Sequence, residues 1–203
     1  MADIPFELSE DLAQRLRAVI DVEGKIPRAL DALGPLASRR VGFLDVPAGR
    51  LLDTLGTGTA EAAALPVADP LRLDRTDGSL DAIVSLWSGF RGVDDAALAE
   101  ADRVLVPGGR LLVVHDYGRD DVSRLRGDLP AYGLWSRRDG PFLSAGFRIR
   151  VVHCFWTFAS VEDARERIAT LGARGEALAE ALRRPRLSWN VAVYHRSRGA
   201  MES

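Results

Sequence analysis

The chain of 203 residues is poor in the residues that build metal sites and crosslinks. It has one cysteine, one lysine (Lys25) and three histidines. A lone Cys154 excludes an internal disulfide and any multi-cysteine zinc site. His115, His153 and His195 are far apart and show no metal-ligand spacing. No apolar run approaches the roughly 18 residues that a membrane span needs. The start, Met-Ala-Asp-Ile-Pro-Phe-Glu, lacks the basic region and apolar stretch of a secretory signal. The net charge of −2 gives nucleic acid no overall attraction, and no patch interleaves aromatic with basic residues. These absences lead us to expect a soluble, cytoplasmic protein with no membrane or nucleic-acid partner.

What is present is a globular composition, 47% hydrophobic and 28% charged. We expect one domain over 1–203, with a helical segment (1–38), a first sheet half (39–118) and a second sheet half (119–203). Leu8, Leu12, Leu16 and Ile20 recur at helical spacing over 7–33, and Pro27 is expected to break that run or to open a second helix at Arg28. Val41 to Val46 reads as a buried strand. Arg50 to Leu55 fits a short helix, and 60–68 fits either a helix or a strand end. Leu80 to Trp87 is strand-like, Asp94 to Leu105 is an amphipathic helix, and Arg110 to His115 is the strongest strand. Strand, helix, turn and strand at this spacing form a βαβ unit, which favours parallel pairing with helices on both faces. A helix over 121–126, a Gly-rich polar stretch, a strand over 147–155, a helix over 161–182 and an alternating strand over 189–195 complete the pattern. The last suits an edge or antiparallel position.

Asp69 to Ser85, with its Asp77-Gly78-Ser79-Leu80-Asp81-Ala82-Ile83 core, and Ala97 to Val114, with Arg103-Val104-Leu105-Val106-Pro107-Gly108-Gly109, resemble the class I S-adenosylmethionine-dependent methyltransferases. The resemblance spans 69–115 strongly and 140–195 more weakly, through Ala145-Gly146-Phe147. It implies an α/β, Rossmann-like, doubly wound sheet, mostly parallel with an antiparallel edge. The family has seven strands. From Asp45 to Asp69 the chain is too short for the usual passage, so one helix or strand is expected to be missing. The Arg-Val-Leu-x-Pro-Gly-Gly segment itself is structural: its proline stops a helix and its glycines let the backbone turn into a strand.

The resemblance also implies a cofactor, S-adenosylmethionine, at the carboxyl ends of the strands. Asp45 fits the acidic position after the first strand, and Gly49 the middle glycine of the loop that follows. Pro47 and Leu51 replace the outer two glycines. Pro47 has no N–H to donate, and Leu51 adds a side chain where the backbone should approach the ligand. Asp69 fits the acidic residue after the family's third strand. Glu61 is the nearest candidate for a ribose-binding acid. Ser85 and Leu86 end a strand where cofactor and acceptor would meet, and Trp87 could stack on a ligand or fill the core.

His115-Asp116-Tyr117 closes the strongest strand. His115 could serve as a general base oriented by Asp116 or Tyr117, or be a histidine at the sheet edge. Methyl transfer can proceed by positioning alone. Cys154 reads as a small buried hydrophobe. The Arg183-Arg184-Pro185-Arg186 run suits phosphate or, more simply, a helix end. The first helices could cover the pocket, as the resemblance implies, or form a subunit contact that would make a homo-oligomer. Two functions stand open: methyl transfer to a small-molecule acceptor, or a catalytically inactive fold that binds a protein partner.

Overall fold

The computed structural model describes residues 16–46, 53, 55–68, 72–88, 90, 93–127 and 130–199. The elements are α1 (Lys25–Leu33), β1 (Arg40–Leu44), β2 (Glu61–Leu65), β3 (Leu80–Leu86), α2 (Asp95–Val104) and β4 (Leu105–Asp116). They continue with α3 (Asp121–Arg126), α4 (Pro130–Trp135), α5 (Pro141–Ser144), β5 (Arg148–Thr157), α6 (Val161–Ala169), α7 (Ala173–Ala181) and β6 (Arg186–Ser197). The expected short helix at Arg50 falls mostly outside the described residues.

One six-stranded sheet has the order β2-β1-β3-β4-β6-β5. The β2, β1, β3 and β4 strands pair in parallel; β6 is antiparallel to both β4 and β5, and β5 closes that edge. Central strands are apolar on both faces because both faces are covered. In β4, Leu111, Leu112, Val113 and Val114 are all fully buried. Alternation then divides them. Leu112 and Val114 join Val41, Phe43 and Val84 in one core, while Leu111 and Val113 join Ile83, Leu80 and α2 in the other. This is the doubly wound α/β sheet expected from the sequence.

Between β2 and β3, the described residues 66–68 and 72–79 hold no helix or strand. Among the described residues the sheet has six strands, one fewer than the seven of the family. An ionic clamp holds this connection instead. Glu100 of α2 is buried and accepts from Arg103 Nε at 2.8 Å, from Arg103 Nη2 at 2.7 Å and from the Leu73 N–H at 2.8 Å. Arg103 also donates to the carbonyls of Leu73 and Arg75, at 3.1 and 2.8 Å.

The helix α2 ends at Val104, three residues before Pro107, so the proline does not stop it and the two glycines lie within β4. Pairing with β3 jumps from Leu80↔Leu105 to Ala82↔Arg110, so Pro107-Gly108-Gly109 is a bulge inside one long strand. Gly108 has φ +76°, and a Cβ on Gly109 would press on the carbonyls of Val106 and Asp81.

The structure corrects three further expectations. Residues 7–15 of the expected helical run lie outside the described residues; after them helix extends only to Arg17, and the second helix opens at Lys25 rather than Arg28. Ile20 leaves it to bridge Trp156, and the Asp21 carboxylate accepts from the N–H groups of Lys25 and Ile26, so α1 starts at Lys25. Pro27 is accommodated because it sits in the first turn, where an N–H has no helical partner. The helix expected over 161–182 is two helices, broken at Gly172 with φ +83°. The Gly-rich stretch carries α4 and α5, anchored by the buried rings of Tyr132 and Phe142.

The clamp predicts a pH dependence. Hydrogen bonds from Arg103 hold the Glu100 carboxyl down to about 2, against 4.5 for a free glutamate. A depressed carboxyl stabilises the fold above its unfolded pKa, and the gain is lost as pH falls through the folded one. Glu100→Gln should therefore cost about 1.5–3 kcal/mol at pH 7, with the gap to the parent chain closing between pH 4.5 and about 2. Denaturant titrations across that range check it.

Candidate functional site

The carboxyl ends of β1, β3 and β4 share one edge of the sheet. The strand order reverses beside β1: β2 lies on one side of it and β3 on the other. In open α/β sheets such a switch point is where crevices form. Both strands that flank it end in a left-handed residue, Asp45 at φ +56° after β1 and Trp87 at φ +48° after β3. Aspartate is among the residues that visit this conformation. The end of β2 holds Asp45 in it: its N–H donates to the Leu65 carbonyl at 2.9 Å, and its Oδ1 accepts from the Val67 N–H at 3.0 Å. Tryptophan has no such compensation, and an αL residue of its bulk costs about 1–3 kcal/mol.

The neighbours of Trp87 offset that cost. Its indole stacks on Trp189 of β6, with centroids 5.2 Å apart and planes 17° from parallel. Its Nε1 donates to Asp116 Oδ1 at 3.2 Å, and Trp189 Nε1 donates to the same oxygen at 2.8 Å. The Tyr132 hydroxyl donates to Oδ2 at 3.1 Å, and Arg126 forms a buried ion pair with that oxygen. Asp116 is 2% exposed and ties together β3, β4, β6, α3 and α4. Its side chain is turned away from His115, whose ring lies on the other face of β4, 5.0 Å from Trp135 and 6.3 Å from Phe142. His115 is also 2% exposed. Tyr117 is half-buried, and its N–H donates to the Asn190 carbonyl at 2.9 Å.

Ser85 is fully buried and shares a hydrogen bond with the Ser88 hydroxyl at 2.9 Å; Ser88 Oγ in turn accepts from the Phe90 N–H at 3.0 Å. The pair folds the loop after β3 back on itself. Leu86 is half-buried against the core. Gly49 and Asp69 lie outside the described residues, as do Pro47, Leu51, Gly89 and Gly92. By position Asp69 follows β2, since no third strand precedes it. Glu61 opens β2 at its amino end and pairs with Arg75, so it stands at the edge opposite the switch point.

Other candidates resolve simply. Burial pushes the Cys154 thiol up to about 12, which leaves it protonated and inert. Arg183 donates to the carbonyls of Glu180 and Leu182, completing the end of α7. Among the described residues, no group of three or more His, Cys, Asp or Glu side chains could hold a metal ion. Nor is any helix among them long and apolar enough to cross a membrane. Sequence reading missed Arg126, Tyr132 and Trp189. Arg126 and Tyr132 looked like ordinary helix and loop residues, and only their shared contact with Asp116 marks them.

No family model and no curated protein sequence matches the chain. Solved structures do. A candidate type II methyltransferase from Anaeromyxobacter dehalogenans is 18% identical, over 86% of this chain and 97% of that one, with a TM-score of 0.51. A candidate methyltransferase of Haloferax volcanii, solved with the Trm112 methyltransferase activator, is 19% identical over 92% and 98%, also with a TM-score of 0.51. At such identities the likeness is one of fold: the chain has the class I methyltransferase fold, with six strands among the described residues.

The Asp116 cluster makes a sharp prediction. Asp116→Asn keeps the side-chain shape but strands the buried Arg126 charge, so it should destabilise by about 3–5 kcal/mol. Asp116→Asn combined with Arg126→Met should recover a large part of that loss. Paired denaturation curves of both variants provide the measurement.

Proposed function

We propose that this protein binds S-adenosylmethionine at the switch point between β1 and β3 and transfers its methyl group to a small-molecule acceptor. The observation that carries the reading is the pair of left-handed strand ends, Asp45 and Trp87, flanking the reversal of strand order in a methyltransferase fold. The chemistry of the donors fits. The cofactor offers an ammonium, a sulfonium and ribose hydroxyls, all of which seek oxygen acceptors, and when bound it supplies an electrophilic methyl group. Asp45 places a half-buried carboxylate at the end of β1. In this reading Gly49 and Asp69 complete the binding set, and Ser85 and Leu86 shape the wall at the end of β3.

The rest is positioning. The Trp87–Trp189 stack keeps water from the β3–β4 side. Asp116 is committed to Trp87, Trp189, Tyr132 and Arg126, and we assign it to holding that wall rather than to moving a proton. His115 sets the opposite wall with Trp135 and Phe142. Tyr117, half-buried at the strand end, is the member of the His115-Asp116-Tyr117 run placed to meet an acceptor.

One observation favours a second reading. Trp87, at the end of β3, is committed to Trp189 and Asp116, an arrangement that suits a fold that has given up catalysis and serves a protein partner. The Haloferax volcanii structure, solved with an activator protein, shows that a chain of this fold can carry such a partner.

Calorimetric titration with S-adenosylmethionine and S-adenosylhomocysteine separates the two. The expected outcome is micromolar binding of both, weakened about tenfold or more in Asp45→Asn, which keeps the acceptor for Val67 but loses the charge. No heat, and no rise in Tm at millimolar ligand, would leave the second reading in place.

A further inference from the structure

The sheet ends on β5, and the outer edge of that strand is open along part of its length. Asp21 N–H donates to the Phe155 carbonyl at 3.1 Å, and Thr157 N–H donates to the Val19 carbonyl at 2.8 Å. Lys25 Nζ donates to the His153 carbonyl at 3.1 Å. The backbone groups of 153, 155 and 157 therefore point outward, away from β6. Strand alternation puts those of Ile149 and Val151 on the same side. No described residue pairs with Ile149 or Val151 there. Segment 19–21 covers the far end of the strand and stops.

Cations surround the open stretch. A cleft of about 270 Å³ lies between α1 and β5, lined by Lys25, Arg28, Arg150 and His153 among others. Arg148, Arg150 and Arg28 are exposed. Glu23, paired with Lys25 at 2.5 Å, and Asp21, whose carboxylate accepts from the Lys25 and Ile26 N–H groups, are acids that partly offset them. Val22, 62% exposed, follows the Asp21 bridge and offers apolar surface beside the same edge.

We propose that β5 docks an acidic, extended segment of a partner protein, added as a further strand along Ile149–His153. Main-chain hydrogen bonds from Ile149 and Val151 would supply the pairing, and Arg28 and Arg150 the sign of the partner's charge. The same cations disfavour a second copy of this chain. A two-fold β5–β5 seam would bring Arg150, Arg28 and Lys25 of both copies together, and like charges across a strand pair are destabilising. Charged edges that block self-association are a familiar protective device. Here the device also selects for the opposite charge. The inference is independent of whether the chain binds S-adenosylmethionine.

The test uses the full chain and two acetylated hexapeptides, one alternating glutamate and valine, the other lysine and valine. Hydrogen exchange followed by NMR should show the amides of Ile149, Val151 and His153 slowed by the glutamate peptide and unaffected by the lysine peptide. Val151→Pro removes an outward N–H without touching the β6 ladder and should abolish this binding. Arg150→Glu changes only an exposed side chain and should weaken it about tenfold. If Val151→Pro lowers Tm, Arg150→Glu and the amide map still decide. Absence of protection at these amides would overturn the proposal. So would equal protection by a single-stranded RNA oligomer, with loss in Arg150→Glu but not in Val151→Pro, since the face would then bind phosphate. A dimer in sedimentation that Val151→Pro dissolves would make a second copy the occupant.

Discussion

The buried carboxylate of Asp116 is the constraint on which the second half of the sheet depends. An ionised group at 2% exposure is tolerated only when it is paired and hydrogen-bonded. Arg126 supplies the pair, and two indoles and a phenol supply the bonds. Each donor comes from a different element, so satisfying one carboxylate sets the placement of β3, β6, α3 and α4 relative to β4. An interaction of this kind gives orientation more than net stability, because desolvation offsets most of the attraction. It also decides where Trp87 goes at the end of β3, beside the switch point.

A second constraint acts at the other end of the sheet. The connection from β2 to β3 has no helix or strand among its described residues, so it cannot be held by a backbone ladder. It is held by side chains: Glu100 and Arg103 of α2 take up the backbone groups of Leu73 and Arg75 that regular structure would have satisfied. Among the described residues β2 is the outer strand at this end. The sheet thus has a short edge at β2 and an antiparallel one at β5, which segment 19–21 covers over part of its length and exposed arginines flank over the rest.

Much of the fold was legible because it rests on local patterns. The apolar runs of β1, β3 and β4 and the amphipathic run of α2 announce themselves within a few residues. The failures were equally local. Asp21 ends one helical segment and caps the next through a side chain, and Gly172 breaks another through a left-handed backbone. Neither is visible in hydrophobic periodicity. The site was less legible. His115, Asp116 and Tyr117 were placed correctly at a strand end, but successive strand residues face opposite ways, so adjacency in sequence put His115 and Asp116 on different faces. Arg126, Tyr132 and Trp189, separated from Asp116 along the chain, gave no sign of meeting it.

By itself, then, the sequence determined the class of fold and the positions along the chain of its main strands and of α2. These follow from periodicity, composition and turn chemistry, which act over a few residues. Tertiary structure alone decided which carboxylates are consumed by the scaffold, which backbone edge stays open and which strand ends are left-handed. Those outcomes depend on contacts between residues far apart in sequence, where the need to satisfy a buried charge or a bulky ring outweighs what each segment would choose alone.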